Sequence, residues 1–124
     1  MTNPEYASLE QYVNMTELLA RVDHDRELLA ELFTLFQESF PRLQHALHSA
    51  VDSDDWLQAA KTAHTLKGML ANLSIKQGAE LAAGVEAAAR TGDAQQIRPA
   101  VSAFNQEAAG FSAALDGFMT GWKR

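Results

Sequence analysis

The chain has 124 residues, a net charge of −6 and 47% hydrophobic residues. This length suits one domain, and we expect residues 1–124 to form a single one. The acidic charge balance, without a basic cluster, argues against a nucleic-acid ligand. The chain has no cysteine, which excludes disulfides and thiolate metal sites. It also lacks a secretory signal and any apolar run of ~18 residues, so we expect a cytoplasmic protein without a membrane segment.

The composition favours helices over strands. Alanine occurs 22 times, whereas valine and isoleucine together occur only 7 times. The first predicted helix is short: Asn14 and Glu17 have the spacing of a capping box, and the helix ends near Arg21. We expect it to act as a lid on the end of a larger bundle.

A long helix should follow, because apolar residues recur at spacings of four and three along it. These residues are Leu29, Phe33, Phe36, Phe40, Leu43 and Leu47. Pro41 lies inside this pattern and predicts either one kinked helix or two shorter ones. Two further helices are predicted at about 54–72 and 75–90, the second with Ser74 as its capping residue.

The last predicted helix carries the clearest apolar stripe, which runs from Ile97 to Trp122. Gly92 should end the preceding helix, and Asp93 should cap this one. Pro99 predicts an irregular start. The fold class is therefore all-α: an antiparallel four-helix bundle over about 14–122, with a short N-terminal capping helix.

Bundles of this size bind a metal, bind a partner on one face, or only pack, and the four histidines help to decide among these roles. No glutamate lies three residues before any histidine, and HExxH is absent. His45 and His48 share a helix face but lack a carboxylate partner at helical spacing, so we interpret them as surface residues. His24 lies in a polar capping segment. We therefore expect no metal and no cofactor.

His64 differs because helical periodicity directs its side chain away from the core. The residues within about 40° of it on a helical wheel are Leu57, Ala60, Gly68 and Ala71. Small residues one turn away leave the imidazole accessible. A glycine inside a helix costs about 1 kcal/mol relative to alanine. Gly68 therefore indicates either access to His64 or a close helix crossing.

An accessible imidazole is a good nucleophile at neutral pH, and a phosphoryl group is a natural electrophile for it. Lys67 is one turn from His64 and could neutralise the phosphoryl charge. The chain has no glycine-rich nucleotide loop and no acidic cluster suited to magnesium. We therefore expect a protein that is not an enzyme with its own ATP site and that does not phosphorylate itself.

The segment from Ala63 to Leu73, AHTLKGMLANL, resembles the signature of the histidine-containing phosphotransfer (HPt) domains of two-component phosphorelays. The context agrees: Asp55-Trp56 lies upstream as in many of these domains, residues 28–47 resemble their long preceding helix, and residues 85–93 resemble their next helix and turn. The resemblance covers about residues 14–120. It implies a helical bundle that carries a phosphoryl group.

The resemblance implies that His64 is phosphorylated, that Lys67 neutralises the phosphoryl group and that Gly68 leaves room for a partner. It implies that the partners are receiver domains, of response regulators or of a hybrid sensor histidine kinase. Glu86 replaces the glutamine frequent at its position, and a carboxylate there would repel phosphate unless Arg90 drew it away. The alternative is that Glu86 and Arg90 form only an exposed ion pair.

The predicted function is a monomeric phosphoryl carrier that accepts a phosphoryl group on His64 from one receiver domain and passes it to another. The predicted docking surface has an apolar part and a basic border. The apolar part is Leu57, Ala60, Ala71 and Met69, and the border is Lys61, Lys67 and Lys76. The alternative function is an interaction module of the same shape that is not phosphorylated. The initiator methionine and the lack of a linker favour a free-standing protein.

Overall fold

The computed structural model describes residues 4–122, and all regular structure in that range is helical. A 3₁₀ turn at Pro4–Tyr6 precedes the α-helices. These are α1 (Met15–Arg21), α2 (Arg26–Asp52), α3 (Trp56–Asn72), α4 (Lys76–Thr91) and α5 (Ala94–Trp122). The sequence prediction of an all-α protein is confirmed.

The four long helices form an antiparallel bundle. Short turns at 53–55, 73–75 and 92–93 reverse the chain between consecutive helices. Helix α3 packs between α2 and α4, α4 packs against α5, and α5 closes the ring against α2. This arrangement confirms the predicted four-helix bundle and makes α3 and α4 close neighbours along their length.

The core forms where the predicted apolar stripes meet. Leu66 of α3 and Val85 of α4 are fully buried, as their helical spacing predicts. Aromatic rings fill the space between α2 and α5: the ring centroid of Phe40 lies 4.9 Å from that of Phe36 and 5.2 Å from that of Phe111. Each such pair stabilises the fold by about 0.5–1.5 kcal/mol beyond the contribution from burying the surface of the two rings. The core thereby fixes which face of α3 remains outside.

Helix α1 covers the end of the bundle at the turn between α3 and α4. Asn14 caps it by accepting a hydrogen bond from the backbone N–H of Glu17 at 3.1 Å, as predicted. The Arg21 guanidinium donates to the last carbonyl groups of α3, those of Ala71 at 2.9 Å and Asn72 at 3.0 Å. The predicted lid is therefore held to the C-terminal end of α3.

The predicted cap at the start of α4 is wrong. Ile75 occupies the capping position and makes no side-chain cap bond. Ser74 instead has a positive φ of 57° and belongs to the end of α3, where the following Ile75 N–H bonds to the Leu70 carbonyl at 2.9 Å. Its hydroxyl donates to Glu17 at 2.8 Å. The Ser74 hydroxyl therefore bonds to a residue of α1 and does not cap α4.

Neither proline interrupts its helix. Pro41 lies inside an unbroken α2, and Pro99 lies inside an α5 that is helical from Ala94, so the predicted irregular start is wrong. Both prolines are exposed, and on the solvent side of a helix a carbonyl that has lost its backbone partner to proline can bond to water instead. The other signals hold: Gly92 ends α4 with a φ of 70°, and Asp93 accepts from the Gln95 N–H at 2.9 Å.

Candidate functional site

His64 lies in the middle of α3 with its side chain 64% exposed, on the outer face that its helical position predicts. Its Nδ1 lies 3.1 Å from Oε2 and 3.3 Å from Oε1 of Glu86 on α4. An ionised carboxylate only accepts hydrogen bonds, so Nδ1 carries the proton and donates it. In the neutral ring Nε2 then bears the lone pair, and within residues 4–122 it has no hydrogen-bond partner. In that form, the ring nitrogen without a partner is the one that could act as a nucleophile.

Glu86 is the hub of a charged cluster between α3 and α4. It is buried, with 5% of its surface exposed, and accepts from Lys67 Nζ at 3.1 Å and from the Arg90 guanidinium at 2.6 Å. Burial alone would raise the pKa of this carboxyl. The hydrogen bonds from Lys67 and His64 and the charge of Arg90 outweigh burial and hold the pKa below its usual range.

The interpretation of Glu86 and Arg90 as only an exposed ion pair is therefore wrong. Arg90 is exposed, but the carboxylate also bonds to two residues of the next helix. These contacts form because α4 packs against α3 with the Glu86 side chain facing His64 and Lys67. The carboxylate lies on the Nδ1 side of the ring, so the imidazole itself separates it from Nε2.

Gly68 has no packing reason to be glycine. A Cβ atom built at this position meets no atom within 4 Å, so the close helix crossing considered from the sequence is wrong. Leu57 is 69% exposed, and Ala71 is exposed as well. Together with His64 these residues form an exposed ridge along α3. Beside the imidazole, Gly68 has no side chain, so the helix backbone is accessible there.

A groove of about 740 Å³ runs beside the ridge between α3 and the C-terminal end of α4. Its lining consists of Trp56, Leu57, Ala60, Lys61, His64, Thr65, Ala89, Arg90, Thr91 and Gly92. Ala60 is only 6% exposed, contrary to the prediction of an accessible docking residue, because it lies at the floor of this groove. The formal charges in the lining, those of Lys61 and Arg90, are both positive although the chain is acidic overall.

Two other predicted docking residues lie elsewhere. Lys76 forms an ion pair of 2.8 Å with Glu17 of α1 at the end of the bundle, so it does not border the His64 face. Met69 lines a separate apolar groove between α2 and α3, together with Leu35 and Phe36. The sequence could not place these residues because both positions depend on neighbouring helices.

The remaining histidines lie apart from this site. His24 has a positive φ of 59° in the turn before α2, and His48 bonds to Asn105 of α5 at 2.9 Å. Within residues 4–122, no three histidine, aspartate or glutamate side chains converge in a way that could hold a metal ion. None of the helices in this range is long and apolar enough to cross a membrane.

Sequence reasoning did not include the residues of α4 and the following turn that complete the groove, namely Ala89, Thr91 and Gly92. The signal available was the helix stop at Gly92, whose Cα lies close to Trp56: a Cβ built there would be 3.8 Å from the indole. This contact brings the start of α3 and the end of α4 together, which closes one end of the groove.

The comparisons with known proteins agree with this geometry. The family model of the Hpt domain matches residues 31–115. A crystal structure of the HPT domain from an Hpt sensor hybrid histidine kinase of Shewanella superposes with a TM-score of 0.77 at 17% identity, covering 90% of this chain and 97% of that chain. No curated protein matches this chain. Because the family model spans more than half of the chain, this protein belongs to the Hpt domain family, the histidine-containing phosphotransfer domains of two-component phosphorelays.

Proposed function

We propose that this protein is a phosphoryl carrier that accepts a phosphoryl group on Nε2 of His64 from the phosphoaspartate of one receiver domain and passes it to another. The observation that carries the proposal is the state of the ring: Nδ1 is bonded to Glu86, whereas Nε2 is exposed and unpartnered within residues 4–122. A neutral imidazole held in this tautomer directs its lone pair at an incoming electrophile.

The proposed phosphoryl transfer needs no cofactor bound to this chain. The Nε2 lone pair forms a bond to phosphorus while the bond from phosphorus to the receiver's aspartate oxygen breaks, and that aspartate leaves as a carboxylate. In the second step the aspartate of another receiver attacks phosphorus, and the electron pair of the P–N bond returns to Nε2. The receiver supplies the magnesium site, and no nucleotide site of this chain takes part.

Lys67 is proposed to neutralise the phosphoryl group. Its ammonium is bonded to Glu86 in the unphosphorylated protein, so this role requires the flexible side chain to turn from the carboxylate toward the phosphoryl oxygens. With a side chain 37% exposed, it lies at the edge of the site and has room to turn. The same Lys67 would then balance charge in both states of the carrier.

The ridge of α3 and the adjacent groove are proposed as the docking surface. Gly68 lets a partner surface approach the helix backbone, Leu57 offers apolar contact area, and Lys61 and Arg90 favour an acidic partner surface. One copy of the chain is enough for this function, because every residue of the site comes from α3, α4 and the turn after α4.

The test is transfer of labelled phosphate from a set of phosphorylated receiver domains to the wild-type protein and to His64→Gln. The matched control is His45→Gln, which removes another exposed histidine from the neighbouring helix α2. We expect the label on wild type and on the control but not on His64→Gln. The label should be lost in acid and kept in base, as a phosphoramidate is.

Label on His64→Gln would refute the assignment of the nucleophile. Absence of label from every receiver, with circular dichroism showing a folded helical protein, would instead support the alternative of an interaction module that is not phosphorylated. The groove beside His64 would then be its binding surface, and isolation of bound partners would follow.

A further inference from the structure

Glu86 places a full negative charge at the ring atom opposite the proposed nucleophile. Its Oε2 lies 3.1 Å from Nδ1 of His64, on a buried carboxylate that cannot turn away without losing Lys67 and Arg90. An amide at this position would also accept the Nδ1–H bond, but it would carry no charge. The carboxylate therefore has a consequence for the phosphorylated state, which rests on the proposed function.

A phosphoryl group on Nε2 turns a ring that keeps its Nδ1 proton into a cation. The P–N bond of that cation breaks to release neutral imidazole, which is a good leaving group. A ring without the Nδ1 proton would have to leave as imidazolate, which is a much stronger base and a poor leaving group. The Nδ1 proton thus decides how readily the carrier gives up its phosphoryl group.

We propose that Glu86 is a positioning residue that keeps the proton on Nδ1 of His64 through the whole cycle, so that the phosphoryl group is accepted and released without any proton leaving the site. In the accepting step the ring gains one positive charge, and the adjacent carboxylate already balances it. In the releasing step the electron pair returns to Nε2, and the same hydrogen bond remains. Neither step then depends on proton exchange with water.

The charged groups around the ring are consistent with this role. Lys67 of α3 and Arg90 of α4 both donate to Glu86, and Lys61 lines the groove without contacting it. Within residues 4–122, neither α2 nor α5 contributes an ion pair or hydrogen bond to His64 or Glu86. When Lys67 turns to the phosphoryl group, Glu86 loses one cation, which strengthens its attraction for the Nδ1 proton.

The experiment compares phosphorylated wild type with phosphorylated Glu86→Gln, each separated from the donor and mixed with an unphosphorylated receiver domain and magnesium. If a receiver labels the variant poorly, phosphoramidate is used as the donor. Transfer rates are measured at about pH 5.5 and about pH 8, because an unperturbed imidazole changes its protonation state between these two values. Because both proteins meet the same receiver, the ratio of their rates cancels the receiver's own pH dependence.

We expect wild type to transfer at least about tenfold faster than Glu86→Gln at the higher pH and within about twofold of it at the lower pH, since an adjacent opposite charge shifts a protonation equilibrium by about tenfold or more. Glu80→Gln is the matched control, because it removes the same charge from an exposed position of α4 and should behave like wild type at both pH values.

A rate ratio that is the same at both pH values would overturn the inference and leave Glu86 with a structural role only. Failure of wild type to accept any label would refute the proposed function itself, so the two failures are distinguishable. If Glu86→Gln does not fold, ¹⁵N NMR of phosphorylated wild type decides: Nδ1 should keep its proton at about pH 8, and its loss there would overturn the inference.

Discussion

Replacing Gly68 should change stability and phosphoryl transfer in opposite directions. The residue is exposed in the middle of α3, and a Cβ at this position meets no atom within 4 Å. Alanine is more favourable than glycine inside a helix by about 1 kcal/mol. We therefore expect Gly68→Ala to raise the free energy of unfolding by about 1 kcal/mol and the melting temperature by about 4 °C.

Transfer should become slower, because in the proposed function a receiver domain docks against this part of the helix. A larger side chain, as in Gly68→Gln, would occupy the space that a docked receiver needs. Overpacking of an interface of this kind costs about 1–3 kcal/mol, which corresponds to a loss of about 5- to 150-fold in kcat/KM for transfer from a phosphorylated receiver. The helix itself should remain slightly more stable than in wild type.

Gly84 provides the matched control. It is an exposed glycine inside α4 whose added Cβ also meets no atom within 4 Å, and it does not line the groove at His64. Gly84→Ala and Gly84→Gln should therefore gain similar stability, measured by urea unfolding, while keeping the wild-type transfer rate. An unchanged rate in Gly68→Gln, or an equal loss in Gly84→Gln, would refute the docking argument. A loss of stability in Gly68→Ala would refute the argument from the open space around this glycine.

Further predictions concern packing, pH and docking. Gly110→Ala should gain less stability in urea unfolding than Gly68→Ala, because its Cβ would collide with the Tyr12 side chain, and an equal gain would contradict this. Since the pKa of Glu86 is lowered by folding, its stabilising contribution should be complete above pH 4.5 and lost as the pH falls through the lowered value. The difference in urea midpoint between wild type and Glu86→Gln should therefore shrink in acid, and a constant difference would contradict the shift. Leu57→Ser should leave stability within about 0.5 kcal/mol and weaken receiver binding in a titration, whereas unchanged affinity would remove it from the docking surface.

The helices and the exposure of His64 could be predicted because they depend on local properties of the chain. Spacing of apolar residues locates α2 and α5, and Asn14 and Gly92 mark helix ends through bonds to their own neighbours. The outward direction of His64 follows from helical periodicity once Leu66 is known to be buried. These features need no knowledge of which helix lies beside which.

Three of the errors share a different cause, which is that each involves a second helix. Ser74 has the residue type of a helix cap, but its hydroxyl is bonded to Glu17 of α1. Ala60 has the helical position of an exposed residue, but it is buried in the groove between α3 and α4. Lys76 has the charge expected at the docking surface, but its partner lies at the end of the bundle.

The sequence by itself determined the helical fold class, the outward position of His64 and the accessible side of α3, since residue type and a period of 3.6 are enough for these. Only the tertiary structure decided the environment of that histidine. The packing of α4 on α3 places the Glu86 carboxylate against Nδ1 of His64, with Lys67 and Arg90 on its oxygens. That contact joins residues of different helices, and its existence depends on the register between the helices, which no local pattern specifies.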